Sequence, residues 1–329
     1  MSRDLAAGKY FYEKTDGNFL ILEANNYIGG RVKNIDFYGY NIPLGAGWLH
    51  EINEDHILYR KAKEYNLKTF IDNYWLSTID FRNGTDGSVI PSSEVTKIND
   101  RAVIAQARMD ALVEKRVNNG KGTVDVKTGL RWGGWISKTP LENAVEYFRY
   151  DFESGMKPDV VDAMIYGSTD IDEIAHERIV TDPRGYGFPI FEESKPYQSK
   201  IKLNKTVSKI TLHSKHDLTV QCKDGTSYTT KNVLVTVSTG VLQSGNIKFS
   251  PALPDWKTEG LDMAPMCWYC KIFLKFDTVF WDNSKEYLVL ATELKGYWIH
   301  FQNVNMDGFF TGSKTLQALL TGSNLFVIF

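Results

Sequence analysis

Residues 19–31, FLILEANNYIGGR, decide the fold class of this chain. The apolar run at residues 19–22 ends in Glu23, and a carboxylate closing a parallel strand is the group that takes ribose hydroxyls with both its oxygens. Six residues on, Gly29-Gly30-Arg31 supplies a turn whose bare backbone can approach phosphate, followed by a planar fork of donors. Short strands are expected over residues 32–40, and a second glycine-rich turn, PLGAGW at residues 43–48, follows them. This is the texture of an α/β dinucleotide-binding domain. The strand, G-x-G-x-x-G loop and helix that open such a site are expected ahead of residue 19, where the sequence offers only a helix-like stretch from Met1 to Tyr12. The chain is therefore expected to lack the opening piece of its own site.

With 329 residues, 43% of them hydrophobic, the chain is long enough for about two domains and a sizeable core. Lysine and arginine (38) nearly balance aspartate and glutamate (40), and no basic cluster is interleaved with aromatics, so a small molecule is a better partner than a nucleic acid. No run approaches the roughly 20 apolar residues of a membrane span, and the charged residues 1–14 do not form a signal peptide. As written the chain is expected to be soluble and cytoplasmic. Secretion stays open, because Asn83-Gly84-Thr85 and Asn204-Lys205-Thr206 match the glycosylation acceptor pattern and a missing start would take a signal peptide with it.

Three cysteines are too few for a disulfide framework. Cys267 and Cys270 form a C-x-x-C, but the segment leads into an apolar strand and lacks a second ligand pair. They are expected to be two semi-buried small side chains, and no metal site is expected.

Further along, residues 56–117 carry helix-like spacing, with a turn and a long polar helix over residues 89–109. Residues 202–220 and 226–237 alternate in β fashion about the turn Lys223-Asp224-Gly225, and residues 232–238, NVLVTVS, are expected to form a fully buried strand. Residues 271–276, KIFLKF, alternate strictly, with Ile272, Leu274 and Phe276 on one face and Lys271, Phe273 and Lys275 on the other.

Glu23, Gly29-Gly30-Arg31, Gly45-Ala46-Gly47-Trp48, residues 147–153, Asp182-Pro183-Arg184-Gly185-Tyr186, Leu203-Asn204-Lys205, Val237-Ser-Thr-Gly-Val-Leu-Gln-Ser244 and Lys271-Ile-Phe-Leu-Lys-Phe276 together resemble the flavin-dependent amine oxidases, and within them the polyamine oxidases of plants and fungi. The resemblance runs over nearly the whole chain, in the family's order and approximate spacing. It implies a discontinuous Rossmann-like FAD-binding domain, residues 1–70 and 176–248, incomplete at its first strand. It also implies a substrate domain of mixed sheet and helices, residues 71–175 and 249–329.

For the cofactor, FAD, the resemblance implies that Glu23 holds the adenosine ribose and that Gly29, Gly30 and Arg31 lie near the pyrophosphate. Gly45, Ala46, Gly47 and Trp48 would run against the flavin ring, and the backbone at Val207 would meet the adenine. Lys271 matches the family lysine that holds a water near the reacting flavin nitrogen, and desolvation in an apolar strand would lower its pKa. Glu153 matches an acid lining the substrate tunnel, His50 and Glu51 fall at its mouth, and Tyr269 would line the same pocket. The implied reaction is oxidation of the carbon next to a neutral amine, hydrolysis of the imine, and reoxidation by oxygen to hydrogen peroxide.

The expected partners are an amine and oxygen, with the protein a monomer. Where family members continue, the chain runs out at Leu325-Phe-Val-Ile-Phe329, so it is expected to be a fragment truncated at both ends, with weakened FAD affinity and exposed apolar surface. Two other readings remain open: a flavin-free binding protein on the same scaffold, and a related flavoenzyme acting on amino acids or on histone lysine.

Overall fold

The longest helix, Ser92–Asn118, buries Val95, Ala102, Ala105, Met109 and Val113, a stripe whose steps of seven, three, four and four residues keep one face turned inward. A computed structural model describes residues 3–50, 52–72, 76–167 and 177–322. Glycines let a second helix, Val126–Gly133, lie close against this stripe: a Cβ on Gly133 would stand 2.1 Å from the Ala105 carbonyl oxygen, and one on Gly129 2.5 Å from Met109. The helix Pro140–Glu146 starts at a capping box in which Thr139 and Glu142 satisfy each other's backbone N–H, with proline in its first turn.

The chain forms two compact units, one from Met1–Gly47, Lys61–Asn66 and Asp182–Met266, the other from Trp48–Arg60, Leu67–Thr181 and Cys267–Phe329. The second unit holds a five-stranded sheet in the order Tyr269–Lys275, Thr315–Thr321, His300–Asn303, Tyr287–Ala291, Ile79–Asn83, antiparallel except for the last, parallel pair. The main core, centred on Met109, Leu130, Trp135, Tyr147, Tyr150 and Tyr287, lies between this sheet and the helices. A smaller sheet places Trp48–Leu49 and Thr69–Ile71 on either side of Arg178–Val180. That pairing puts residues 48–60 and 67–70 in the second unit, whereas the expected domain boundary grouped them with the first. Residues 249–266 fall in the first unit instead of the second.

In the first unit, helix Arg3–Lys14 packs Leu5 against Ile21 and Tyr197, and Ile21–Leu22 pairs in parallel with Ile201–Lys202. A four-stranded sheet runs Ser227–Thr230, Asp217–Cys222, Val207–Ser214, Lys248–Ser250. The turn at residues 223–225 is where the sequence places it, with Gly225 at φ +85°. Short strands are expected over residues 32–40; Asn34–Phe37 and Tyr40–Pro43 form an antiparallel pair, the second strand running on to Pro43. The Asp182-Pro183-Arg184 segment folds on itself: Arg184 donates Nε to Asp182 at 2.8 Å and a terminal nitrogen to the Tyr65 and Asn66 carbonyls at 3.1 Å.

Three expectations are corrected. Residues 232–238 form no strand, and Leu234, Val235 and Val237 are exposed, because no described strand lies alongside to pair with their backbone. The helix-like stretch 56–117 contains two strands, Thr69–Ile71 and Ile79–Asn83, which tertiary pairing imposes within a segment whose many charges favoured a helical reading. The β segment from residue 202 to 220 is broken at Lys215–His216, where Val207–Ser214 turns back into Asp217–Cys222. No helix among the described residues is long and apolar enough to cross a membrane.

Candidate active site

In the second unit, Lys271 sits on strand Tyr269–Lys275 opposite Leu319, on the face away from Ile272 and Leu274, as the alternation requires. Its ammonium nitrogen stands 4.1 Å from the centre of the Trp48 ring. Burial drives the Lys271 pKa down from 10.5 to about 7, so a large fraction of the amine is unprotonated at neutral pH.

Trp48 is fixed by its indole N–H, which donates to Asp72 Oδ2 at 2.5 Å. Asp72 is fully buried, and its other oxygen accepts from the Tyr287 hydroxyl at 2.7 Å. Gln302 donates to that hydroxyl at 3.0 Å, and Gln317 to Gln302 at 3.3 Å, so the polar chain continues into the sheet.

His50 pairs through Nδ1 with the buried carboxylate of Glu177, and that hydrogen bond raises the imidazole pKa above its usual 6.5. Glu153 follows the π-helical turn Tyr147–Asp151 and has solvent-accessible surface, yet its carboxyl is pushed up to about 7, first by desolvation and then by the negative charge of Glu177. Tyr269 is 42% accessible while burial raises its phenol pKa strongly. Glu153, His50, Glu177 and Asp72 act on one another's charge and so form one electrostatic cluster. The buried Phe152 packs on Tyr269 at 5.8 Å and on the buried His300 at 4.2 Å between ring centres.

Lys271, Tyr269, Trp48, His50 and Glu153 therefore all belong to the second unit. Glu51 lies outside the described residues. Asp72 and Glu177 were missed by sequence reasoning. Asp72 carries the same signal as Glu23, an acid directly after a short β-branched and aromatic run, while Glu177 carries none.

In the first unit, the Glu23 backbone is held by Lys202 and Lys205, at 2.9 and 2.8 Å. Its Oε1 accepts from the Asn25 backbone and side chain, leaving Oε2 for another donor. Gly29 and Gly30 adopt φ of +106° and +55°, which side chains rarely tolerate. The second glycine turn crosses the first: Ala46 donates to the Arg31 carbonyl at 3.1 Å, and a Cβ on Gly45 would lie 1.8 Å from that oxygen. Gly47 is buried, and Val207 opens strand Val207–Ser214 opposite Cys222. The Arg31 guanidinium is exposed and makes no hydrogen bond or ion pair with a described residue. These donors, with Glu23 Oε2 and two bare turns, fit a dinucleotide's ribose and phosphates. Cys267 is exposed and Cys270 partly buried, both free, and the described residues contain no cluster of metal-ligating side chains.

Residues 5–162 and 191–316 match the model of the flavin containing amine oxidoreductases. The chain belongs to this family. It is 29% identical over 334 residues to polyamine oxidase 6 of Oryza sativa subsp. japonica and 28% identical over 330 residues to polyamine oxidase 1 of Zea mays, each match covering 92% of this chain. The chain spans 65% of the length of each of these relatives. A wild-type putrescine oxidase solved bound to putrescine superposes with a TM-score of 0.69 at 17% identity, over 99% of this chain and 74% of that one, which shows the shared fold. The cofactor of this polyamine oxidase-like family member is FAD.

Proposed function

We propose that the protein uses FAD and oxygen to oxidise amines, with polyamines such as spermine and spermidine as substrates, giving an aldehyde, an amine and hydrogen peroxide. The observation that carries this reading is a lysine held near neutrality against Trp48, whose indole is bonded to Asp72 beside the electrostatic cluster of Glu153, His50 and the buried Glu177. In the first unit, Glu23 would take the ribose, Gly29, Gly30 and Arg31 the pyrophosphate, Val207 the adenine, and Gly45, Ala46 and Gly47 would leave room for the ring system. FAD, when bound, accepts the hydride equivalent from the carbon beside the amine nitrogen and is reoxidised by oxygen.

The chain's own residues do the rest. Unprotonated Lys271 holds a water by accepting its proton in a hydrogen bond, ready for attack on the imine. Ionised Glu153 receives an ammonium of the substrate, and a long amine with several ammonium groups is matched by the further negative charge of Glu177. Tyr269 offers an aromatic face to the methylenes between them.

Both titrations run in the same direction. As pH rises through about 7, Glu153 gains its charge and Lys271 loses its proton, so kcat/KM should climb across that window. Peroxide release from spermine and spermidine by the FAD-loaded protein, measured between pH 5.5 and 8.5, is the test, with Lys271→Met expected to lower the rate by about 100-fold. Full activity in Lys271→Met removes the lysine from the mechanism. Oxidation of amino acids but not of polyamines replaces the substrate class.

A further inference from the structure

The Asp72 carboxylate touches none of the groups proposed to meet substrate, yet it is among the most completely engaged side chains of the second unit. It is fully buried, with an indole N–H on one oxygen and a phenol on the other, and its own backbone N–H donates to the Glu177 carbonyl at 2.9 Å. The three-stranded sheet explains why it is so placed. Trp48 pairs with Ile179 and Ile71 with Arg178, so the central strand fixes the chain carrying Trp48 and the chain leading into Asp72 on its two edges. The indole cannot turn without leaving a buried carboxylate half-satisfied. Its ring face is the surface against which Lys271 rests.

We infer that Asp72 is a positioning residue for Lys271, acting through Trp48: the carboxylate fixes the indole plane, and the plane holds the lysine nitrogen in place and keeps water from one side of it. The inference rests on the proposed function for what Lys271 does, but not for whether Asp72 controls it. The Trp48 ring meets the lysine nitrogen and Tyr269 lies two residues before it on its own strand, while Glu153 and His50, with Glu177 beside them, lie within electrostatic reach of Asp72. Of these, only Trp48 is bonded to Asp72 through its side chain.

The test reads the lysine directly and needs no turnover. The purified protein is acetylated with acetic anhydride in brief pulses between pH 5.5 and 10.5, and modification at Lys271 is quantified by mass spectrometry against the exposed Lys215. In the parent protein Lys271 should react with a midpoint near 7. Burial is the cause of that low midpoint, so in Asp72→Ala, where the indole is released and water reaches the amine, it should move up by at least about one unit. Asp72→Asn keeps an acceptor for the indole and should restore the parent midpoint.

An unchanged midpoint in folded Asp72→Ala overturns the inference. Equal shifts in Asp72→Ala and Asp72→Asn also overturn it, since the charge and not the positioning would then be responsible. If Asp72→Ala does not fold, Trp48→Phe, which removes the donor from the other end of the same bond, should give the upward shift, and its failure to do so is equally fatal. A protein that oxidises no amine but shows these shifts keeps the positioning role and loses only the reaction.

Discussion

The two units carry their functional groups in opposite ways. In the second, polar side chains fix one another: Trp48 is held by Asp72, Asp72 by Tyr287, His50 by Glu177. In the first, the candidate cofactor groups are fixed by backbone. The chain at Glu23 is gripped on both sides, Gly29 and Gly30 turn at positive φ that side chains rarely tolerate, and the Arg31 guanidinium reaches solvent with no described partner. A site set by side-chain networks has its chemistry prepared before a ligand arrives, and its pKa values are already moved. A site set by backbone offers shape and waits for the ligand to supply the charge. The apolar surfaces differ in the same sense, with the second unit's core continuous around Trp135 and Tyr287 and the first unit's apolar segment 232–238 facing solvent.

The largest effect that this contrast predicts is on stability. Trp135 is 2% exposed, donates its indole N–H to Glu146 at 2.7 Å and lies under the Arg101 guanidinium. Trp135→Ala leaves a cavity and an acid short of one donor, so unfolding of the second unit followed in urea should show a loss of about 3–5 kcal/mol. A loss below about 1 kcal/mol would mean that this core yields to fill the space, and that the contrast between the units is weaker than the burial suggests.

A smaller effect is expected at Arg31, and it should touch binding alone. Because its guanidinium bonds to no described residue, Arg31→Ala should leave the unfolding curve in place. FAD affinity of the protein, followed by quenching of flavin fluorescence, should fall by about tenfold, the equivalent of one charge-assisted hydrogen bond. Arg31→Lys should recover only part of it, since an ammonium cannot offer the paired donors of a guanidinium. An unchanged affinity in Arg31→Ala would take this side chain out of the cofactor site, leaving the backbone of Gly29 and Gly30 to meet the phosphates.

The same difference explains what could be read from the sequence. Glu23, the two glycine turns and the Lys223–Gly225 turn are local features, each legible because one residue type suits one backbone geometry or one ligand group. The strand bearing Lys271 was legible because alternation sorts its two faces, although only the fold shows that its nitrogen meets Trp48. Asp72 and Glu177 were not legible, because their roles come from partners 24 and 127 residues away, and no spacing rule joins them. Residues 232–238 were misread for a related reason. Their apolar run has the composition of a buried strand, but burial depends on neighbours that composition does not specify.

The finest test of the contrast is at Leu234, which is 63% exposed although it sits in an apolar stretch of the first unit. Truncating a side chain that is already in water removes little from the folded state, so Leu234→Ala in these 329 residues should change stability by no more than about 0.5 kcal/mol. The same substitution in a full-length relative of this chain gives the comparison its meaning. There, a cost of about 2 kcal/mol or more would show that further chain covers the segment and that the first unit, like the second, completes an apolar core in the longer protein. Equal small costs in both contexts would make the exposure a property of the fold itself, and would leave 232–238 as a solvent-facing segment beside the candidate cofactor groups.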